Sequence, residues 1–265
     1  MAFSTERTLL KAKRILITGA STGLGYAMAK ALATAGASVL LTARSQENLT
    51  KAVAGLREQD LDVHGIPMDV RREESIAKAV AWVQGQWGTL DLLINNAGIG
   101  MRTVNPNFLS DPQPFYEVTA AGFRDLIDTN LTGYFLVAKA FVPLFIQNGK
   151  GKIVNISMNH ETMKRKGFVP YGPSRAGAES LSYIMAEDLK ELNISVNMLL
   201  PGGGTETGMI PEAFKKNLKE NNFLLSPDVM GEPIVFLASE ASNGITGQRL
   251  VAKDFAAWKQ NFITD

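Results

Sequence analysis

The sequence predicts an α/β domain, a doubly wound parallel sheet of about seven strands with helices on both faces. Three observations predict it. Short runs rich in β-branched residues and leucine alternate with longer runs of helical period, which gives crossover units rather than hairpins. The chain has 265 residues, 45% of them apolar and 20% charged, enough to bury a large core and too apolar for disorder. A glycine-rich turn closes the first strand and opens the first helix, the place where such sheets take a ligand. The length fits one domain, residues 1–265, better than two.

In chain order the first strand is expected at 14–18, an Ile-Leu-Ile run stopped by glycine, with its helix at 24–34. The second and third strands, at 38–42 and 63–68, frame a helix at 46–59, and a helix at 73–86 leads to a fourth strand at 91–94. A long apolar helix follows at 121–147, broken near Asn130 and kinked at Pro143. Strands at 152–157, 195–199 and 248–251 alternate with helices at 173–189 and 228–238. Two stretches fit neither period: 99–119, with Pro106, Pro112 and Pro114, and 201–227. Both leave strand carboxyl ends and are expected to be substrate loops.

Charge and composition exclude several functions. Twenty-seven basic residues against 26 acidic leave a net charge of +1, so no global field gathers nucleic acid or an anionic membrane. The absence of cysteine removes disulfides, thiolate nucleophiles and cysteine-held metals. His64 and His160 are too few for a histidine metal site, and none is expected. The first eleven residues carry charge where a signal peptide needs an apolar run. The longest apolar segment, 134–146, is interrupted by Lys139 and Pro143 and falls short of the roughly 20 residues that span a bilayer. A cytoplasmic protein is the expectation.

The glycine turn reads Thr18-Gly-Ala-Ser-Thr-Gly-Leu-Gly25. Gly19, Gly23 and Gly25, with Ser21, Thr22 and Leu24 between them, let backbone amides approach a pyrophosphate. The spacing is G-x-x-x-G-x-G rather than G-x-G-x-x-G, and by itself it fits a tight packing turn equally well. Further motifs stand with it in order: Asn95-Asn96-Ala97-Gly98 at the fourth strand's end, Asn130 in the next helix, Tyr171-Gly-Pro-Ser-Arg175 opening the one after, and Pro201-Gly202 behind the sixth strand. With these the chain resembles the short-chain dehydrogenases/reductases over essentially its whole length.

The resemblance implies a Rossmann-like fold and a nicotinamide cofactor. It implies that Asp69 and Val70 cap the adenine, that Asn96, Ala97 and Gly98 line the cofactor, and that Pro201, Gly202, Thr205 and Thr207 hold the carboxamide. It makes Tyr171 the acid/base, with Asn130 and Arg175 in support and Tyr171 and Arg175 also against the cofactor. The cofactor's identity is argued from charge. NAD needs an acid near the end of the second strand and NADP a cation. That strand ends Thr-Ala-Arg44, with Glu47 the first acid and already in the helix, so NADP(H) is expected.

Two positions depart from the family. Arg175 stands where the family has lysine; it keeps the positive charge but cannot relay a proton. Met158 stands at the place of the serine that polarises the substrate oxygen. Ser157, one residue out, should face the other way because strand side chains alternate, and it enters only as a candidate catalytic residue. Asn159, His160, Glu161 and Thr162 offer other polar groups.

Met101, Phe108, Phe115 and Tyr116 in the first loop are expected at the cleft mouth, and 208–214 with 222–225 in a lid, giving an apolar pocket or ordinary packing. Lys164-Arg165-Lys166 reads as a solvated loop or an attraction for an anionic substrate. Apolar faces at 134–146 and 181–189 match helices that pair between subunits in the family, so a homodimer or homotetramer is expected. Gly244 to Gly247 fits the family's ending, whereas 249–254 departs from it. The reading is an NADP(H)-dependent oxidoreductase interconverting a carbonyl and an alcohol on a small-molecule substrate. The alternatives are a weakly catalytic cofactor-binding sensor or structural protein, and a reductase of enone double bonds.

Overall fold

A computed structural model describes residues 8–210 and 224–263. The chain begins β1 (Arg14–Thr18), α1 (Gly23–Thr34), β2 (Ser38–Ala43), α2 (Gln46–Arg57), β3 (Val63–Pro67), α3 (Glu73–Gln86) and β4 (Leu92–Asn95). It continues through α4 (Ala120–Ile127), α5 (Gly133–Asn148), β5 (Gly151–Ile156), α6 (His160–Met163), α7 (Tyr171–Leu189) and β6 (Ile194–Leu200). It ends with β7 (Gly204–Thr205), β8 (Leu224–Leu225), α8 (Gly231–Ala238), β9 (Arg249–Val251) and α9 (Phe255–Ile263). Seven parallel strands form one sheet in the order β3-β2-β1-β4-β5-β6-β9.

The strands are nearly continuous apolar runs because helices bury both of their faces. In β1, Ile15 and Ile17 point into one core with Met28 and Leu32 of α1 and Ile234 of α8. Leu16 between them points into the other, with Ile76 of α3 and Phe141 of α5. β1 pairs with β2 on one side and β4 on the other. The order of strands reverses there, which opens a crevice at their carboxyl ends.

All seven expected strands are present, each end within a residue of its expected place. The expected break near Asn130 is a π-turn, Asp128–Thr132, through which the helix continues. Ala120–Asn148 is therefore one helix of 29 residues, with an 18-residue window of mean hydropathy 1.3, long and apolar enough by length and composition to cross a membrane. The apolar segment 134–146 is only part of this longer helix. Half of the 18-residue window is buried in this fold, with Val137, Phe141, Leu144 and Phe145 packed in the second core.

Other boundaries moved for local reasons. The helix expected from residue 173 starts at Tyr171, and the one expected from 228 begins as a 3-10 turn, Pro227–Met230, capped by the Ser226 hydroxyl. α6, α9 and the small β7–β8 pair were not expected. Residues 211–223 of the expected lid lie outside the described residues.

Candidate active site

The crevice is held open by hydrogen bonds that leave no room for side chains. The Thr18 hydroxyl at the end of β1 accepts the N–H groups of Asn96 and Ala97 just past β4, each at 2.9 Å. The Asn96 amide donates back to the carbonyls of Thr18 and Gly19, again at 2.9 Å. A Cβ on Gly19, whose φ is +64°, would lie 2.7 Å from the Ala97 Cα, and one on Gly25 would lie 2.5 Å from the Asn96 amide nitrogen. Only glycine fits either place. No side chain caps α1 at Thr22, so the N–H groups of its first turn remain for an anion.

Beyond this cradle runs a cavity of about 1100 Å³, from Arg44 and Ser45 past the glycines and Asn96–Gly98 to Tyr171, and on to Met101, Phe108 and Phe168. Every residue expected to touch the cofactor lines it except Asp69. Its charged lining, among the described residues, is Arg44, Arg165 and Arg175, with no carboxylate. Asp69 sits behind Val70, its carboxylate bonded by Arg71 at 2.7 and 3.0 Å. That bond holds the Asp69 pKa below the usual range against the opposing effect of burial. Arg71 also meets Asp125 of α4.

Tyr171 and Arg175 lie one turn apart on α7. Arg175 is 2% exposed. Its guanidinium sits between two phenol rings, 5.4 Å from Tyr171 and 5.5 Å from Tyr134. One nitrogen, Nη1, donates to the Tyr134 hydroxyl at 2.7 Å and to the Ile156 carbonyl at 2.9 Å. Burial opposes its charge, but Tyr134 and Tyr171 outweigh that and raise its pKa, so it stays protonated. Burial raises the Tyr134 pKa in spite of Arg175. A Cβ on Gly98 would lie 2.4 Å from Nη2 of Arg175, so the glycine admits the guanidinium. The Tyr171 hydroxyl reaches the Met209 sulfur at 3.9 Å.

Asn130 lies in the π-turn, fully buried and off the cavity wall. Its side chain accepts from the Ile99 N–H at 2.8 Å and donates to the Ile99 carbonyl at 2.9 Å. It clamps the loop leaving β4 instead of facing the reaction. Ser157 lines the cavity, but its hydroxyl donates to Glu179 at 2.5 Å. Glu179 also accepts from Arg249 at 2.8 Å and faces His160 at 3.1 Å. Arg249 donates in turn to the Met158 carbonyl at 2.7 Å. Met158 packs with Met101, Phe108, Phe168 and Tyr171, so Ser157 and Met158 do face different neighbours.

The remaining candidates divide. Asn159, Thr162 and Arg165 line the cavity, and His160 does not. Met101 and Phe108 line it, while Phe115 and Tyr116 stand in solvent at 70% and 73% exposure, a correction to their expected place at the mouth. Tyr134 and Glu179 escaped sequence reasoning. Glu179 carried a signal, since it lies four residues past Arg175 on the buried face of α7; Tyr134 in its apolar run carried none. The glycine cradle, the arginine-lined cavity and the Arg175 Nε, which is buried without a partner, fit a dinucleotide.

Residues 13–218 match the family model of the short chain dehydrogenases. The chain belongs to the short-chain dehydrogenase family. Gluconate 5-dehydrogenase of Gluconobacter oxydans (strain 621H) is 32% identical over 250 residues, 91% of this chain and 93% of its own. The crystal structure of a gluconate 5-dehydrogenase from Burkholderia cenocepacia J2315 in complex with NADP and tartrate superposes with TM-score 0.80 at 28% identity, covering 95% of this chain and 98% of that one. A 3-ketoacyl-(acyl-carrier-protein) reductase from Brucella melitensis complexed with NADH gives TM-score 0.80 at 27% identity, covering 91% and 97%. This short-chain dehydrogenase is an oxidoreductase acting between carbonyl and alcohol.

Proposed function

We propose that the enzyme is NADP(H)-dependent and that Tyr171 carries the proton of the carbonyl/alcohol interconversion. The carrying observation is the Tyr171 phenol on the cavity wall with the buried Arg175 guanidinium beside it. When bound, the nicotinamide supplies or accepts the hydride. Tyr171 holds the proton destined for the substrate oxygen, and the fixed charge of Arg175 favours the phenolate left behind. Arg175 keeps its own proton, so the phenol is reprotonated by another route. Asn130 and Ser157 act on the frame: the first holds Ile99, the second ties the end of β5 to Glu179. Ser21, Thr22 and the glycines would hold the pyrophosphate, with Thr205 and Thr207 at the carboxamide.

The neighbours hold NADP in one case and NADH in the other, so the choice rests on this chain's own charge. Arg44 at the end of β2 is exposed toward the cavity, and its fork of donors suits a 2′-phosphate. A homo-oligomer and a cytoplasmic location complete the proposal.

The test is oxidation of NADPH and NADH with ketones and aldehydes. Tyr171→Phe is expected to lose about 10²-fold or more in kcat. Arg44→Ala is expected to weaken NADPH at least about tenfold more than NADH. Equal losses for the two cofactors remove the NADP assignment. Turnover of enones with isolated carbonyls untouched, or binding without turnover in every case, replaces the carbonyl reading.

A further inference from the structure

The substrate end of the cavity carries a charge that the reaction above does not use. Of the three arginines lining the cavity, Arg175 is committed to Tyr134 and Ile156, and Arg44 stands at the opposite end with its field on Asp69. Arg165 remains, and it has no ion-pair partner among the described residues. The acid nearest in sequence, Glu161, is paired with Lys164 at 3.2 Å. The Arg165 guanidinium lies 5.2 Å from the Phe168 ring centroid, and Phe168 in turn lies 6.5 Å from the Tyr171 ring and 5.7 Å from Phe108. The cation is thus one aromatic ring away from the acid/base.

We propose that Arg165 is the anion-binding residue of the substrate site and that the enzyme's substrates are carbonyl compounds, or the corresponding alcohols, bearing a carboxylate at the end of an apolar stem. This rests on the carbonyl-reducing reading of the same cavity. The cation–π contact with Phe168 restrains the guanidinium over the ring and leaves N–H donors for a carboxylate. Near Tyr171 and Arg165 the wall carries Phe168, Phe108 and Met158, with Asn159 and Thr162 as its neutral polar members. It takes methylene groups and offers no acid to repel the anion. Arg165 is exposed, so the attraction is screened and weakens as salt rises.

The experiment compares 4-oxopentanoate, 5-oxohexanoate and 6-oxoheptanoate with their methyl esters under NADPH. The enzyme is expected to prefer the acid at the best-fitting length by ~10-fold in kcat/KM, less at high salt. In Arg165→Gln the acid/ester ratio falls to about 1 through a higher KM for the acid, and Arg165→Lys recovers part of it. An ester preferred in the wild type, or acid and ester equally affected by Arg165→Gln, overturns the proposal. If none of the six compounds is turned over, calorimetry with hexanoate and hexanamide decides the anion site. Tighter hexanoate binding that Arg165→Gln abolishes upholds it, and equal binding of the two overturns it.

Discussion

Arg175 shows what a single residue can and cannot disclose from sequence. Its spacing from Tyr171 was legible as one helical turn, and its charge as a source of field. Its partners were not, because Nη1 reaches across to α5 and the end of β5 for the Tyr134 hydroxyl and the Ile156 carbonyl, groups far away in sequence. Gly98 was legible as part of a motif; its physical reason is the guanidinium 2.4 Å from where a Cβ would stand, with the Asn130 amide oxygen at 3.1 Å. Gly98→Ala therefore forces the buried Arg175 guanidinium, which also lines the cavity, to shift from its place between the two phenols. It is expected to lower kcat at least about tenfold and to destabilise the fold by about 1–3 kcal/mol, as overpacking does. Steady-state kinetics and denaturant unfolding on the same preparation check both; wild-type values for the two would show that the guanidinium moves freely.

Elements were legible where one period held and hidden where partners came from afar. The strands alternate between two cores, so their ends were placed to within a residue. The short α6 and terminal α9 gave too little periodicity to recognise, and a π-turn adds one residue to a helix without any composition to announce it. Lys152 on β5 is a second such case. Its ammonium donates to the Ser239 carbonyl at 2.6 Å and the Ser242 hydroxyl at 2.7 Å, joining the sheet to the 3-10 turn Glu240–Ser242. Burial lowers its pKa to about 8, more than Glu240 restores. The unfolded value is about 10.4, so between the two the unfolded chain binds more protons and this group adds stability as pH rises. The full shift would be worth about 3 kcal/mol, reduced to about 1 by solvent access. Wild type is expected to gain that much on Lys152→Met between pH 7.5 and 9.5 in denaturant titrations. A difference between them that ignores pH would place the ammonium in water.

At the scale of the whole molecule the cavity is continuous from Arg44 to Arg165, and the sequence had already marked its cofactor half through glycines that allow close backbone approach. The substrate half was less legible, since packing alone separates Phe108, which is buried, from Phe115 and Tyr116, which are not. Packing also leaves an apolar surface on the far helices. Phe123 of α4, Phe135 and Ile146 of α5, and Tyr183 and Ile184 of α7 are each at least 40% exposed. α4 and α7 pack on one another and α7 packs on the π-turn, so these side chains belong to one helical layer. Water contact of that extent is unfavourable at about 25 cal/mol per Å², and pairing two copies through the layer removes it while keeping two-fold symmetry. The proposed homo-oligomer therefore predicts a dimer or larger species by sedimentation at micromolar concentration. Phe135→Glu with Ile184→Glu should shift it to monomer, with the cofactor still bound because neither residue lines the cavity. A wild-type protein that sediments as a monomer at every concentration would show that this layer meets solvent as it stands.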